Sequence, residues 1–202
     1  CFYLLESCTY SFQKDILNLV YIARSFGLDA VADYWAQVII MNDHQKERFA
    51  RKIVRTLFST VSDKKIAFYG WAFKKDTNDT RESAAIYVAA DLLDERARIH
   101  VYDPKVTPQR MRQDMDELAR HEAPLLDEHL QMESDPYTAA EGAHAIAILT
   151  EWNEFNDYDW ERIYDAMLKP AFIFDGRALL DAQALEAIGF RVYTIGKSQR
   201  TD

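Results

Sequence analysis

Ile66-Ala67-Phe68-Tyr69-Gly70-Trp71-Ala72-Phe73-Lys74-Lys75-Asp76, continued by Thr77-Asn78-Asp79-Thr80-Arg81-Glu82-Ser83, is the stretch on which the fold turns. A short apolar run ends at a glycine, a polar and basic loop follows, and Ser83 then heads an apolar-rich segment that closes at Asp94. This order predicts strand, loop and helix, the start of a parallel βαβ unit. The pattern recurs downstream. Residues 99–102 read as a second strand stopped by Asp103-Pro104. Residues 143–149 form a near-continuous apolar strand suited to burial on both faces. Residues 172–174 make a strand ending at Asp175-Gly176-Arg177, and 191–195 a last one. Helices are expected over 83–94, 159–167 and 181–188, with a short one opening at Asp135-Pro136-Tyr137; 107–133 is polar, helical or irregular. The sum is an α/β chain with a Rossmann-like, doubly wound parallel sheet of five strands over 62–202.

Upstream of Ser62-Asp63-Lys64-Lys65 the grammar is purely helical. Ile16, Leu19, Val20, Ile22 and Ala23 recur at three- and four-residue steps; Gly27 interrupts them. Two further patterns follow, one through Val31, Trp35, Val38 and Ile39, the other through Phe49, Ile53, Val54 and Leu57. Residues 1–61 are therefore expected to form two or three helices serving as a core or an oligomer seam, a helical dimerisation segment ahead of the sheet domain at 62–202.

The composition narrows the partners. The 202 residues carry Lys+Arg 24 against Asp+Glu 33, a net charge of −9, so the whole-chain field repels polyanions and argues against nucleic acid or an acidic membrane. Cys1 and Cys8 form neither a disulfide framework nor a zinc-type spacing, which fits a reducing, cytoplasmic setting. No apolar run approaches the roughly 20 residues of a membrane-spanning helix. A first residue that is Cys rather than Met is read as a sign of truncation.

In an open parallel sheet ligands lie beyond the carboxyl ends of the strands. Lys74, Lys75, Arg81 and Arg177 fall there and suit phosphate, Arg as a bidentate fork and Lys as a point charge. Equally, they suit salt bridges to Asp76, Asp79, Glu82 and Asp175 that staple the loops. The first strand's turn lacks the glycine series through which a dinucleotide pyrophosphate approaches the backbone, so a nicotinamide cofactor is expected to bind mainly elsewhere. Phe12-Gln13-Lys14-Asp15 heads the first helix, where unpaired N–H groups favour an anion or a thiolate; Ser11 precedes it and Cys8 lies three positions earlier.

Several long motifs in order carry a resemblance: Phe12 to Tyr21, Ala72 to Ser83, Tyr102-Asp103-Pro104-Lys105, Thr150-Glu151-Trp152, and Lys169 to Arg177. Together they resemble the eukaryotic-type UDP-glucose 6-dehydrogenases of the UDP-glucose/GDP-mannose dehydrogenase family, over nearly the whole chain. The resemblance implies the second half of such an enzyme, its helical dimer-forming centre and its UDP-sugar-binding domain, with the NAD-binding half outside this sequence. It implies two successive NAD-dependent oxidations of UDP-glucose to UDP-glucuronate, through a cysteine thiolate that attacks the intermediate aldehyde. It places substrate contacts on Phe73, Lys74 and Arg177, cofactor contacts on Gln13, Lys14 and Arg81, and the water-activating carboxylate on Asp15. The nucleophile position falls on Ser11 in an ungapped alignment, or on Cys8 if Thr9-Tyr10-Ser11 is an insertion. A serine hydroxyl is far less acidic than a thiol, so the second oxidation is expected not to be completed, and with the NAD-binding half outside this sequence the chain alone is expected to be inactive. The alternative is a catalytically silent module that binds a UDP-sugar and oligomerises.

Overall fold

A computed structural model describes residues 10–197, and its centre is a six-stranded, all-parallel sheet. The strands are β1 (Lys65–Tyr69), β2 (Arg98–Tyr102), β3 (Leu130–Met132), β4 (Ala145–Ile148), β5 (Phe172–Asp175) and β6 (Arg191–Thr194). Their spatial order is β3-β2-β1-β4-β5-β6, so the winding reverses between β1 and β4. β4 and β5 are buried at every position and β1 at all but its first, as strands covered on both faces must be.

The sixth strand corrects the expected five. β3 spans only three residues, follows directly on a helix, and pairs with β2 alone from Leu130 against Ile99 to Met132 against Val101. A strand that short has no period to read, and only its place at the sheet edge makes it one.

Helices α3 (Ala84–Asp94), α7 (Trp160–Ala166) and α8 (Ala182–Ile188) stand where the sequence places them, and α6 (Pro136–Ala140) opens at Asp135. Side-chain caps start them: Ser83 accepts from the Ala85 amide, Asp159 from Arg162 and Asp181 from Gln183 and Ala184. The polar stretch after β2 holds α4 (Pro108–Leu118) and α5 (Ala123–His129).

The amino-terminal segment forms two helices, α1 (Tyr10–Ser25) and α2 (Asp29–Thr56), which resolves the two-or-three expectation. α1 ends at Ser25, and just beyond it Gly27, with a φ of +69, lets the Leu28 amide return to the Ala23 carbonyl at 2.9 Å. Between the second and third apolar patterns lies no glycine or proline, so the helix runs on. What changes at Asn42 is the neighbour. Ala32, Trp35, Ala36 and Ile39 pack on Ile16, Val20 and Ala23 of α1, whereas Phe49, Ala50 and Ile53 enter the main core with the sheet.

Candidate functional site

The loop after β1 is held by three carboxylates. Gly70 takes φ +98, and an added Cβ there would lie 2.3 Å from Thr150 Cβ, so only glycine lets this turn meet the β4 end. Trp71 and Ala72 then donate their amides to Asp103 Oδ2 at 2.7 and 3.0 Å. Asp103 also accepts from the Lys105 and Val106 amides, both at 2.9 Å, and from Trp152 Nε1 at 3.1 Å. One carboxylate thus ties the ends of β1, β2 and β4.

Asp114 on α4 is the second anchor, receiving Trp71 Nε1 at 2.9 Å, Thr80 Oγ1 at 2.8 Å and Arg110 Nη2 at 2.6 Å. Burial raises its pKa above the usual carboxylate value, against the pull of Trp71, Thr80 and Arg110. Asp79 is the third. Arg81 grips it with Nε at 2.9 Å and Nη2 at 2.6 Å, and that bond holds the Asp79 carboxyl below its ordinary pKa.

Arg177, after β5, reaches across to the first loop. Its Nη2 donates to the Phe73 carbonyl at 2.9 Å and its Nε to the Leu149 carbonyl at 2.7 Å, with Glu151 Oε2 3.4 Å away. The Arg177 amide donates to Asp175 Oδ1 at 3.0 Å. Glu151 Oε1 in turn accepts from the Lys75 amide at 3.2 Å. Phe73 is half-buried, and the Lys74 ammonium stands over its ring, 5.3 Å from the centroid, on an otherwise exposed side chain.

The structure therefore brings Phe73, Lys74 and Arg177 together at the carboxyl edge of the sheet, beside the β1/β4 switch point where ligands of doubly wound sheets bind. Arg81 belongs to the same loop and is engaged by Asp79. Two of the expected staples differ: Arg177 faces Glu151 rather than the Asp175 carboxylate, and Lys75 donates to Asn153 Oδ1 at 3.0 Å. Asp103, Asp114 and Glu151 are organisers that single-strand reading misses, because each acts between elements distant in the chain. The signal for Asp103 is its place directly after β2.

Lys14 and Asp15 lie exposed on α1, whose partner is α2. Ser11 and Gln13 fall in the first turn of α1, which starts at Tyr10, two residues earlier than the Phe12 start read from the sequence. Their side chains, and Cys8 altogether, lie outside the described residues. Among the described residues no helix is long and apolar enough to cross a membrane.

Comparison with known proteins adds independent information. The profile of the UDP-glucose/GDP-mannose dehydrogenase family, UDP binding domain, matches residues 67–182. A UDP-glucose 6-dehydrogenase of Drosophila melanogaster is 54% identical over 192 residues, covering 94% of this chain and 40% of its own length. One of Pongo abelii is 52% identical over 188 residues, covering 92% and 38%. The chain thus spans about two fifths of the curated relatives it matches. Among solved structures, a UDP-glucose dehydrogenase of Pyrobaculum islandicum shares the fold with a TM-score of 0.63 at 24% identity, covering 91% of this chain and 36% of that one.

Proposed function

The chain belongs to the UDP-glucose/GDP-mannose dehydrogenase family, and from that premise we propose that it supplies the nucleotide-sugar-binding part of a UDP-glucose 6-dehydrogenase. The observation that carries this reading is the 2.9 Å bond from Arg177 Nη2 to the Phe73 carbonyl, which sets a buried guanidinium against the loop that carries Lys74, at the sheet's switch point. In this proposal Lys74 and Arg177 meet the diphosphate of UDP-glucose and Phe73 lines the same cleft. The overall reaction is the two-step NAD-dependent oxidation to UDP-glucuronate.

The sheet itself does not fit NAD as a principal site. In a dinucleotide fold an acidic residue downstream of the first turn takes a ribose hydroxyl, and glycines let the pyrophosphate approach. Here the Asp103 carboxylate is filled by the Trp71 and Ala72 amides, and only Gly70 stands in the loop after β1. We therefore assign the main NAD site to residues outside this sequence, with Arg81, Gln13 and Lys14 as edge contacts. Asp15 remains the proposed water-activating carboxylate and Ser11 the residue at the nucleophile's position. What the chain's own residues contribute is binding and orientation in a cytoplasmic enzyme. Incubated alone with UDP-glucose and NAD it is expected to form no NADH.

Calorimetric titration with UDP-glucose tests the site. Lys74→Ala removes an exposed cation and leaves the loop's anchors intact, so affinity is expected to fall about tenfold, the effect of one charge-assisted bond worth roughly 1.5 kcal/mol. A change under about twofold would remove Lys74 from the site.

The helical segment at 1–61, as a unit ahead of the sheet at 62–202, is proposed to join copies of the chain. Its support is the number of large apolar side chains left exposed on α1, α2 and the turn between them, including Tyr21, Phe26 and Tyr34, each at least 70% exposed. Phe26→Glu with Tyr34→Glu is expected to convert a dimer to a monomer in light scattering. An unchanged mass at micromolar concentration would assign that face to another partner.

A further inference from the structure

We propose that the cavity between α2 and the end of β6 binds a small anion carrying a planar apolar group, an aryl phosphate being the simplest form. The cavity measures about 290 Å³. It lies on the face of the sheet that α2 crosses, and neither Lys74 nor Arg177 lines it.

Its wall is built from two kinds of side chain. Phe49, Phe174 and Tyr193 supply apolar surface, and Arg48, Lys52 and Lys197 supply charge. Tyr193 stacks on Phe174 with centroids 5.2 Å apart and planes 12° from parallel, so a ladder of rings continues onto the edge strand. In ordinary helix-on-sheet packing such rings are covered by apolar side chains at close-packed density. Here α2 sets Phe49 beside Phe174 in the core but lays a cation, Lys52, over Tyr193. The Lys52 ammonium sits 4.4 Å from the Tyr193 ring centroid, held at the cavity wall by the ring's negative face.

The charge pattern is the second indication. The chain carries −9 overall, yet among the described residues the charged side chains lining this cavity, Arg48, Lys52 and Lys197, are all positive. Three cationic side chains on one cavity wall give it a locally positive potential, which attracts an anion. The volume stands at the lower limit of ligand pockets, roughly 300–1,000 Å³, which favours a single ring with one phosphate over a dinucleotide.

Phenyl phosphate is the probe, titrated calorimetrically into the 202-residue chain, with inorganic phosphate as the comparison. The expected result is binding of phenyl phosphate at least about fivefold tighter than phosphate. Arg48→Gln and Lys52→Gln are each expected to weaken it about tenfold, and Lys74→Ala to leave it unchanged. Arg48 and Lys52 are exposed, so both variants keep the fold, with circular dichroism as the check. Absence of binding at millimolar probe overturns the proposal. So does full affinity in the Arg48→Gln, Lys52→Gln double variant, or a loss caused by Lys74→Ala, which would locate the probe at the loop after β1. Equal affinity for inorganic phosphate overturns the aromatic component. Because Lys74 serves as the control, failure here leaves the proposed UDP-sugar site untouched.

Discussion

Asp103→Ala is expected to destabilise the chain by about 4 kcal/mol and to lower Tm by roughly 10 °C, measured by thermal and urea unfolding followed by circular dichroism. The side chain is 7% exposed and accepts five N–H groups, from Trp71, Ala72, Lys105, Val106 and Trp152. Alanine leaves those donors without their acceptor in a region closed to water, and each orphaned buried donor costs about 1–3 kcal/mol. Loosening of the loop lets some reach solvent, which is why the expected total is below the sum. Asn is expected to restore less than half of the loss. Its carboxamide has one acceptor oxygen, and its NH₂ would face N–H groups that also donate. Since the released amides lead directly into Phe73 and Lys74, UDP-glucose affinity is expected to fall in step with stability. A Tm within about 2 °C of the unmodified chain would show that water satisfies these amides and that Asp103 organises nothing.

Most of the sheet was legible because its strands announce themselves locally. The run 143–149 is apolar without alternation, as burial on both faces requires, and 66–69 and 172–174 end at Gly70 and at Asp175-Gly176 where the chain must turn. β3 escaped because three residues, Leu130-Gln131-Met132, become a strand only by lying beside β2. The unity of α2 escaped for a related reason. Its apolar stripe changes partner from α1 to the sheet near Asn42, and a change of partner looks like a break when only the sequence is seen. That Lys74 and Arg177 lie at the carboxyl edge of the sheet was legible from their positions after strands, 103 residues apart in sequence. The geometry that joins them was not, because Asp103, Asp114 and Glu151 work across loops that only the folded sheet brings together.

Arg177→Lys is expected to weaken UDP-glucose binding about a hundredfold, close to 2.7 kcal/mol, while lowering Tm by only a few degrees. The guanidinium spans two carbonyls on different loops, Leu149 through Nε and Phe73 through Nη2, and does so at 6% exposure. A lysine ammonium keeps the positive charge beside Glu151 and can bond one of those carbonyls. It has no planar fork with which to hold both at the Arg spacing. The Phe73–Lys74 loop then loses its tie to β5, and a diphosphate loses the fixed cation beside it. Two measurements separate the roles this residue can play. If Arg177 serves both as staple and as phosphate contact, affinity falls far more than the Tm change implies, and adding Lys74→Ala deepens the loss. If affinity holds while Tm drops, Arg177 is a staple alone, and the proposed grip on the diphosphate is wrong.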